Sequence, residues 1–330
     1  MSIFDQKVIK YEMKPLSSLE KVFPDETPVY RMECQMLSGL WGETVSFQVA
    51  YTGDFVMRER LDVRVVSELA EHVHVRTVEM VPVGRATNGI VDDNYLKTTS
   101  GLYPDLLKDL KDGKVIVYSR QWRSLWVDVD ITNEIPAGEY EIELQLIKED
   151  EVVCSAKQKV TVIGTELPKL YIMHTEWMHA DGLADYYHVE VFSEEHWKLL
   201  ENYFQEYVKR DCNMMLTPLF TSPLDTAIGL ERTTCQLIDV EVKDGEYVFG
   251  FEKLKRWIDL CKKCGIEYFE MSHLFSQWGA KYAPKVVATV NGKKEKIFGW
   301  HTPAVGEYTK FLESFLPQLT AKLRNGKLHM

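Results

Sequence analysis

The stretch LYIMHTEWMHADGLADYY, from Leu170 to Tyr187, decides the fold expected of this chain. Its first four residues, Leu170 to Met173, are apolar and predict a buried parallel β-strand. The residues that follow are rich in acids, imidazoles and aromatic rings. A β/α barrel builds its ligand site in this way, at the carboxyl ends of its strands. The alternative interpretation is a polar loop that carries several aromatic side chains.

The composition is that of a globular protein, with 45% hydrophobic and 27% charged residues. The net charge is -11 and no block of lysine or arginine is present, so we expect no nucleic-acid partner. No segment resembles a signal peptide or is long and apolar enough to cross a bilayer. We therefore expect a cytoplasmic protein without a membrane partner.

Residues 1–165 predict an antiparallel β-sandwich, because short alternating strands are separated by turn signals. The expected strands are Val29–Met36, Glu43–Tyr51, Leu61–Val66, His74–Val83, Ser124–Asp130, Glu139–Ile147 and Val152–Val162. A long irregular stretch is expected at Arg85–Lys114.

Residues 166–330 change to a repeated order of strand, loop and helix. After Leu170–Met173, strands are expected at Asn213–Leu216 and Ile266–Phe269, and hairpins around Asp244-Gly245 and Asn291-Gly292. Helices are expected after Ser193, at Phe251–Cys264 with Gly265 as its stop, and from Thr302-Pro303 onward.

Three β/α units in a row fit one end of a (β/α)₈ TIM barrel, but a full barrel needs about 250 residues. The predicted fold class is therefore multidomain β and α/β, with a sandwich (1–165) followed by an incomplete TIM barrel (166–330). The competing interpretation is a small open three-layer domain.

The predicted strand ends converge on a site suited to carbohydrate. Tryptophans can stack on sugar rings, and acids, histidines and arginine can bond hydroxyl groups. The candidate substrate-binding residues are His174, Glu176, Trp177, His179, Asp181, Asp225, Arg232, Glu270, His273, Trp278 and Trp300. Glu176 and Glu270 are the best candidate pair of carboxyl groups for glycoside cleavage. The alternative role for both is to hold the loops together by hydrogen bonds.

A metal site would have to use His174, Glu176, His179 and His273. The spacing in HTEWMH differs from the i, i+4 histidine pair of a helical zinc site. A nucleophile-elbow serine, a P-loop and a dinucleotide-binding glycine fingerprint are all absent from the sequence. We expect neither a metal nor a cofactor.

Several runs resemble bacterial proteins related to glycoside hydrolase family 123. They are Thr175–Asp181, Asn213–Pro218 with Pro223–Thr226, Tyr268–Ala280, and, in the first domain, Trp126 with Pro136–Tyr140. Those proteins join an N-terminal β-sandwich to a TIM barrel, and the resemblance extends over nearly the whole chain.

The resemblance implies a retaining β-N-acetylgalactosaminidase-type reaction, in which the acetamido oxygen of the substrate attacks the anomeric carbon. An adjacent Asp-Glu pair on a loop after a later barrel strand would orient the acetamide and supply the acid. In this sequence the Asp-Glu dipeptides are Asp25-Glu26 and Asp150-Glu151, both in the first domain. The catalytic residues are therefore not identified, and the family implies only a substrate pocket.

The leading hypothesis is the N-terminal portion of a hexosaminidase-type glycoside hydrolase that is inactive as it stands. Its partner would be an amino sugar or a galactoside. The alternatives are a non-catalytic carbohydrate-binding protein and, third, a metal-dependent hydrolase. The sequence does not indicate an oligomeric state.

Overall fold

The computed structural model describes residues 10–29, 36–55, 58–87, 89, 91, 94–224, 226–227, 229–277 and 279–324. The chain divides into two compact units, Met1–Pro168 and Lys169–Met330. Within the described residues, no helix has the length and apolar character needed to cross a membrane.

The first unit contains two five-stranded sheets. The first sheet has the spatial order β1 (Lys10–Ser17), β3 (Thr44–Asp54), β8 (Arg123–Asp130), β5 (Val73–Val83) and β6 (Gly101–Asp109). The second has the order β2 (Met36–Trp41), β10 (Glu151–Glu166), β9 (Gly138–Lys148), β4 (Glu59–Val66) and β7 (Lys114–Val117). Neighbouring strands run antiparallel, except that β2 and β10 are parallel. The predicted antiparallel β architecture is confirmed.

The two sheets share one hydrophobic core, to which alternate residues of each strand contribute. In β8 the side chains of Leu125, Val127 and Val129 are fully buried, whereas Asp130 is exposed. Ile142 and Leu144 of β9 are buried in the same core from the other sheet. The alternation of apolar and polar residues in the sequence thus determines which face of each strand is buried in the core.

Two predictions for this unit need correction or stay open. The stretch Arg85–Lys114 is not irregular throughout, because β6 lies within it and pairs with β5 over Gly101–Asp109. Pro104 interrupts the sequence pattern but is tolerated because β6 is an edge strand. The strand predicted at Val29–Met36 falls mostly on 30–35, outside the described residues.

The second unit contains four helices and six strands among its described residues. In chain order these are α1 (Ala180–Tyr187), α2 (Glu194–Val208), β11 (Met214–Thr217), β12 (Asp239–Lys243), β13 (Glu246–Gly250), α3 (Glu252–Cys264), β14 (Tyr268–Met271), β15 (Val286–Val290), β16 (Lys293–Phe298) and α4 (Glu307–Arg324).

Strands β11 and β14 form a two-stranded parallel sheet in which Leu216 is paired with Glu270. The two hairpins, β12–β13 and β15–β16, are joined into one four-stranded sheet by a short parallel pairing between β12 and β15. Both hairpins were predicted from their turn residues, but their union was not.

The strand predicted at Leu170–Met173 is wrong. The segment has no strand conformation, and its four side chains are between 38% and 88% exposed. The segment is tied to Asn213, just before β11, whose side-chain nitrogen donates to the Ile172 oxygen at 3.0 Å. The backbone oxygen of His174, the residue after the segment, accepts hydrogen bonds from the backbone nitrogens of Asn213 and Met214. The expected third parallel strand is therefore missing from the sheet formed by β11 and β14, and an incomplete TIM barrel remains a prediction.

The helices pack through the faces that their sequences indicate. The Ser193 hydroxyl caps α2 by accepting from the backbone nitrogen of His196, and Gly265 ends α3 with a positive φ of 106°. Residues at helical spacing bury one face of α3, including Trp257 and Cys261. The last helix starts later than predicted, at Glu307, because Thr302 takes part in a turn with Gly299.

Candidate functional site

Three of the predicted site residues meet at the carboxyl end of β14. The indole Nε1 of Trp177 donates a hydrogen bond of 2.9 Å to Oε2 of Glu270. The rings of Trp177 and His273 pack edge to face with centroids 5.1 Å apart. Trp177 is 48% exposed, so this aromatic–carboxylate cluster (Trp177, Glu270 and His273) is open to a ligand.

The loop that carries His273 is fixed from two sides. The backbone nitrogen of Ser272 donates to the Thr217 oxygen at 2.8 Å, which continues the β11–β14 pairing by one residue. The hydroxyl of Tyr308, a fully buried residue of α4, donates to the Leu274 oxygen at 2.6 Å. Because the backbone is held on both sides of His273, its ring is presented from a rigid support.

His174 and Glu176 lie on the segment before Trp177. His174 Nε2 is 3.6 Å from Oε1 of Glu176, and the Glu176 side chain is 77% exposed. The Tyr207 hydroxyl of α2 accepts from the backbone nitrogen of Glu176 at 2.8 Å and lies 2.7 Å from the Met214 oxygen, to which it donates. Tyr207 therefore ties this segment to β11, and burial raises the pKa of its phenol.

Asp181 and Arg232 form a buried ion pair. Nε of Arg232 lies 2.7 Å from Oδ2 of Asp181, and Nη2 lies 3.2 Å from Oδ1, so the contact is bidentate. The side chains are only 16% and 8% exposed for Arg232 and Asp181. Nη1 of Arg232 also donates to the Leu224 oxygen. These contacts join α1 to the segment around Leu224, so Asp181 and Arg232 hold this loop in place.

The other predicted residues are placed differently. Trp300 is buried, with its ring 6.5 Å from that of Tyr282, and His179 lies directly before α1. Asp225 and Trp278 lie outside the described residues. Sugar contacts by these four residues stay predictions.

A metal centre has no support in the part of the chain that the structure describes, where no three His, Cys, Asp or Glu side chains are grouped so that they could hold an ion.

Nδ1 of His273 is buried and makes no hydrogen bond with the described residues. The chemistry offered by the aromatic–carboxylate cluster is that of a binding site. It consists of an aromatic face and a carboxylate that can accept from hydroxyl groups, with the His273 ring packed against the edge or face of the indole.

Sequence reasoning missed the groups that hold the cluster. Tyr207 lies on α2 and Tyr308 on α4, and helical spacing does not indicate which group a phenol hydroxyl contacts. Helix α1 was missed because Gly182 and two aspartates weaken its helical pattern. One signal could have indicated these contacts, because the hydroxyl of a buried tyrosine is usually hydrogen-bonded.

Comparison with known proteins identifies a related family. Residues 177–329 match the model of the glycoside hydrolase 123 catalytic domain, so this part of the chain is glycoside-hydrolase-like in sequence. The match begins at Trp177 and contains Glu270 and His273. No curated protein matches the chain.

Among solved structures, a family 123 glycoside hydrolase from Clostridium perfringens, studied for glycolipid glycan hydrolysis, matches with a TM-score of 0.66 at 15% identity. The match covers 95% of this chain but 56% of that one, so the chain spans little more than half of that enzyme's length. It shows a similar fold. A β-glucosidase from Listeria innocua in complex with isofagomine has a TM-score of only 0.23 at 11% identity, and covers 48% of this chain and 17% of its own.

Proposed function

We propose that this chain is a glycoside-hydrolase-like protein that binds a carbohydrate through the aromatic–carboxylate cluster. The observation that carries the proposal is the match of residues 177–329 to the glycoside hydrolase 123 catalytic domain. The geometry supports it, because Trp177, Glu270 and His273 come from separate positions in the chain and meet inside the matched range. We propose that His174 and Glu176 also face the ligand, since Glu176 immediately precedes Trp177 in the chain.

The proposed ligand is a glycan that contains an amino sugar or a galactoside. An exposed indole suits the apolar face of a sugar ring. Oε2 of Glu270 already accepts from Trp177, which orients the carboxylate and leaves its other oxygen to accept from a sugar hydroxyl. The glycan substrate of the Clostridium perfringens enzyme is consistent with this class.

We further propose that the chain belongs to a hexosaminidase-type enzyme but does not itself hydrolyse glycosides. Residues 177–329 contain no Asp-Glu dipeptide. Of the two dipeptides elsewhere, Asp25 and Glu26 are paired with Lys97, and Asp150 and Glu151 lie at the β9–β10 turn. The proposed site therefore supplies binding without the adjacent Asp-Glu pair that the family resemblance implies for cleavage.

The test is a titration of the purified chain with N-acetylgalactosamine and galactose, followed by nuclear magnetic resonance, beside a hydrolysis assay on aryl N-acetylgalactosaminides. We expect sugar-dependent changes in the Trp177 indole signal, lost in Glu270→Gln, and no turnover. The matched control is Glu194→Gln, which removes an exposed carboxylate of α2. No response to either sugar would overturn the binding proposal, and turnover would overturn the proposed lack of catalysis.

A non-catalytic carbohydrate-binding protein is the second candidate, favoured by the same exposed Trp177. The same hydrolysis assay on protein purified from its native source separates the two. Turnover there supports an enzyme of which this chain is a part. Sugar binding without turnover supports the binding protein.

A further inference from the structure

The first unit contains a cleft whose charge is opposite to that of the whole chain. Its volume is about 380 Å³, within the usual range for small-ligand sites. It lies where the edge strand β6 of one sheet and the edge strand β7 of the other contribute lining residues. Its cationic lining residues are Arg60, Lys108, Lys111, Lys114 and Arg123. The acidic lining residues are Glu79 and Asp109.

Part of this positive charge is paired locally, because Arg60 lies 2.8 Å from Asp112 and Lys114 lies 3.2 Å from Asp62. Asp109, one of the two acids, is paired with His74 at 3.0 Å. Lys108 and Lys111 have no ion pair among the described residues. A concentration of cations is notable in a chain with a net charge of -11, because it produces a local potential that attracts anions.

Arg123 is the group that most clearly requires a partner. Its backbone is paired with Tyr51, its guanidinium lies 4.9 Å from the centre of the Tyr118 ring, and Nη2 donates to the Gln121 side chain at 3.2 Å. Nε of Arg123 is buried and makes no hydrogen bond with the described part of the protein. Arg123 also lines the cleft, so its guanidinium can offer a charge-assisted hydrogen bond to an oxyanion bound there.

The remaining lining suits an organic ligand better than a free ion. Val78 and Val115 are buried and line the cleft, and the Tyr51 ring is 3% exposed. Thr77 adds a hydroxyl at the same cleft. Apolar surface beside cations and hydroxyl groups matches a sugar ring that carries a carboxylate or a sulfate.

We infer that this cleft binds an anionic saccharide. Arg123 contacts the oxyanion of the saccharide, and Lys108 and Lys111 attract its negative charge. The saccharide half of the inference rests on the proposed function, whereas the oxyanion half rests on the cleft alone. The site lies entirely within the first unit and shares no residue with the aromatic–carboxylate cluster.

The experiment is isothermal titration calorimetry of the full chain with a sulfated N-acetylgalactosamine disaccharide, the same disaccharide without sulfate, and inorganic sulfate. We expect the sulfated disaccharide to bind more tightly than either of the others. Binding should weaken as salt rises from roughly 0.05 to 0.3 M, because the Debye length shortens. Arg123→Gln should lower the affinity about tenfold, as expected for a lost charge-assisted contact.

A second variant tests the site without altering a partly buried residue, so that a loss of binding is not caused by misfolding. Lys108→Gln combined with Lys111→Gln alters two exposed side chains and should also weaken binding. Lys157→Gln, which alters an exposed lysine of β10 paired with Glu141 of β9, should not. Equal affinity for the two disaccharides would overturn the oxyanion site. Binding of inorganic sulfate as tight as that of the sulfated disaccharide would overturn the saccharide assignment, while leaving the proposed function at Glu270 untouched.

Discussion

Two clusters in the second unit use similar residue types and differ in what surrounds them. Asp181 and Arg232 satisfy each other with two hydrogen bonds, and their side chains are 8% and 16% exposed. Glu270 accepts one bond from Trp177, which is about half exposed, so the second oxygen of its carboxylate can still accept from a ligand. The first cluster has used its bonding capacity internally, and the second still has capacity for a ligand.

The difference shows why acids and arginines in a loop are weak evidence for a binding site. Asp181, Arg232 and Glu270 were all named as candidate sugar-binding residues from the sequence, since all three were expected near strand ends. Burial separates them, because a carboxylate that leaves water must find its partners within the protein. The following substitutions test this distinction, beginning with the largest expected effect.

Asp181→Asn should destabilise the second unit by about 3 kcal/mol, because Arg232 is left buried without its counter-charge. The measurement is urea unfolding followed by tryptophan fluorescence. The matched control is Glu194→Gln, which breaks an exposed bidentate pair with Arg256. That change should cost less than about 1 kcal/mol, because exposed ion pairs contribute little. Equal losses in the two variants would contradict the contrast between the clusters.

Tyr207→Phe should cost about 1–2 kcal/mol, because it removes one hydroxyl and leaves the Glu176 nitrogen and the Met214 oxygen without their partner. Differential scanning calorimetry gives the change in unfolding temperature. Tyr203→Phe is the control. Among the described residues, the Tyr203 hydroxyl is hydrogen-bonded only to the exposed hydroxyl of Tyr187. A loss no larger than in the control would show that Tyr207 does not hold the segment before Trp177.

His196 should make stability depend on pH. Its Nδ1 accepts from the Phe192 nitrogen and its Nε2 donates to the Ala180 oxygen, both at 2.9 Å, so the folded protein requires the neutral ring. Burial holds the pKa of His196 below its ordinary value of 6.5. The unfolded chain therefore takes up the proton first, and stability present above pH 6.5 falls as the pH drops below it, by at most about 1.4 kcal/mol per pH unit.

The check is the urea midpoint at pH values of about 7.5, 6.5 and 5.5, compared between the wild type and His196→Gln. The variant is less stable throughout, but this component of its pH dependence should be gone. If the variant and the wild type lose stability in parallel on acidification, His196 is not the group responsible.

Glu270→Gln should have the smallest effect on stability, within about 0.5 kcal/mol, because an amide oxygen can still accept from Trp177 and the side chain is only partly buried. The same urea titration measures it. A loss above 2 kcal/mol would place Glu270 with Asp181 as a structural residue and would weaken its assignment to sugar binding.

Local signals in the sequence predicted local structure. The Ser193 cap, the Gly265 stop, the buried face of α3 and the Asn291-Gly292 hairpin were predicted because each depends on residues within one or two turns of each other. The parallel pairing of β12 with β15 joins residues about fifty positions apart, and no pattern in either hairpin specifies it.

The candidate site was predictable by residue type but not by role. Trp177, Glu270 and His273 were named, and the structure brings them together. Asp181 and Arg232 were also named, yet they bond to each other across 51 positions, a contact that is invisible in the sequence. Leu170–Met173 shows the same limit for the fold, because a short apolar run predicts a strand only if neighbours cover it.

That exposed run also affects how the protein behaves in solution. Four adjacent apolar side chains in contact with water favour association between copies, whereas the net charge of -11 makes copies repel each other. Salt screens the repulsion but leaves the apolar attraction in place. The protein should therefore remain monomeric at low ionic strength and self-associate as salt is added. The association should occur through the exposed side chains of Leu170 to Met173.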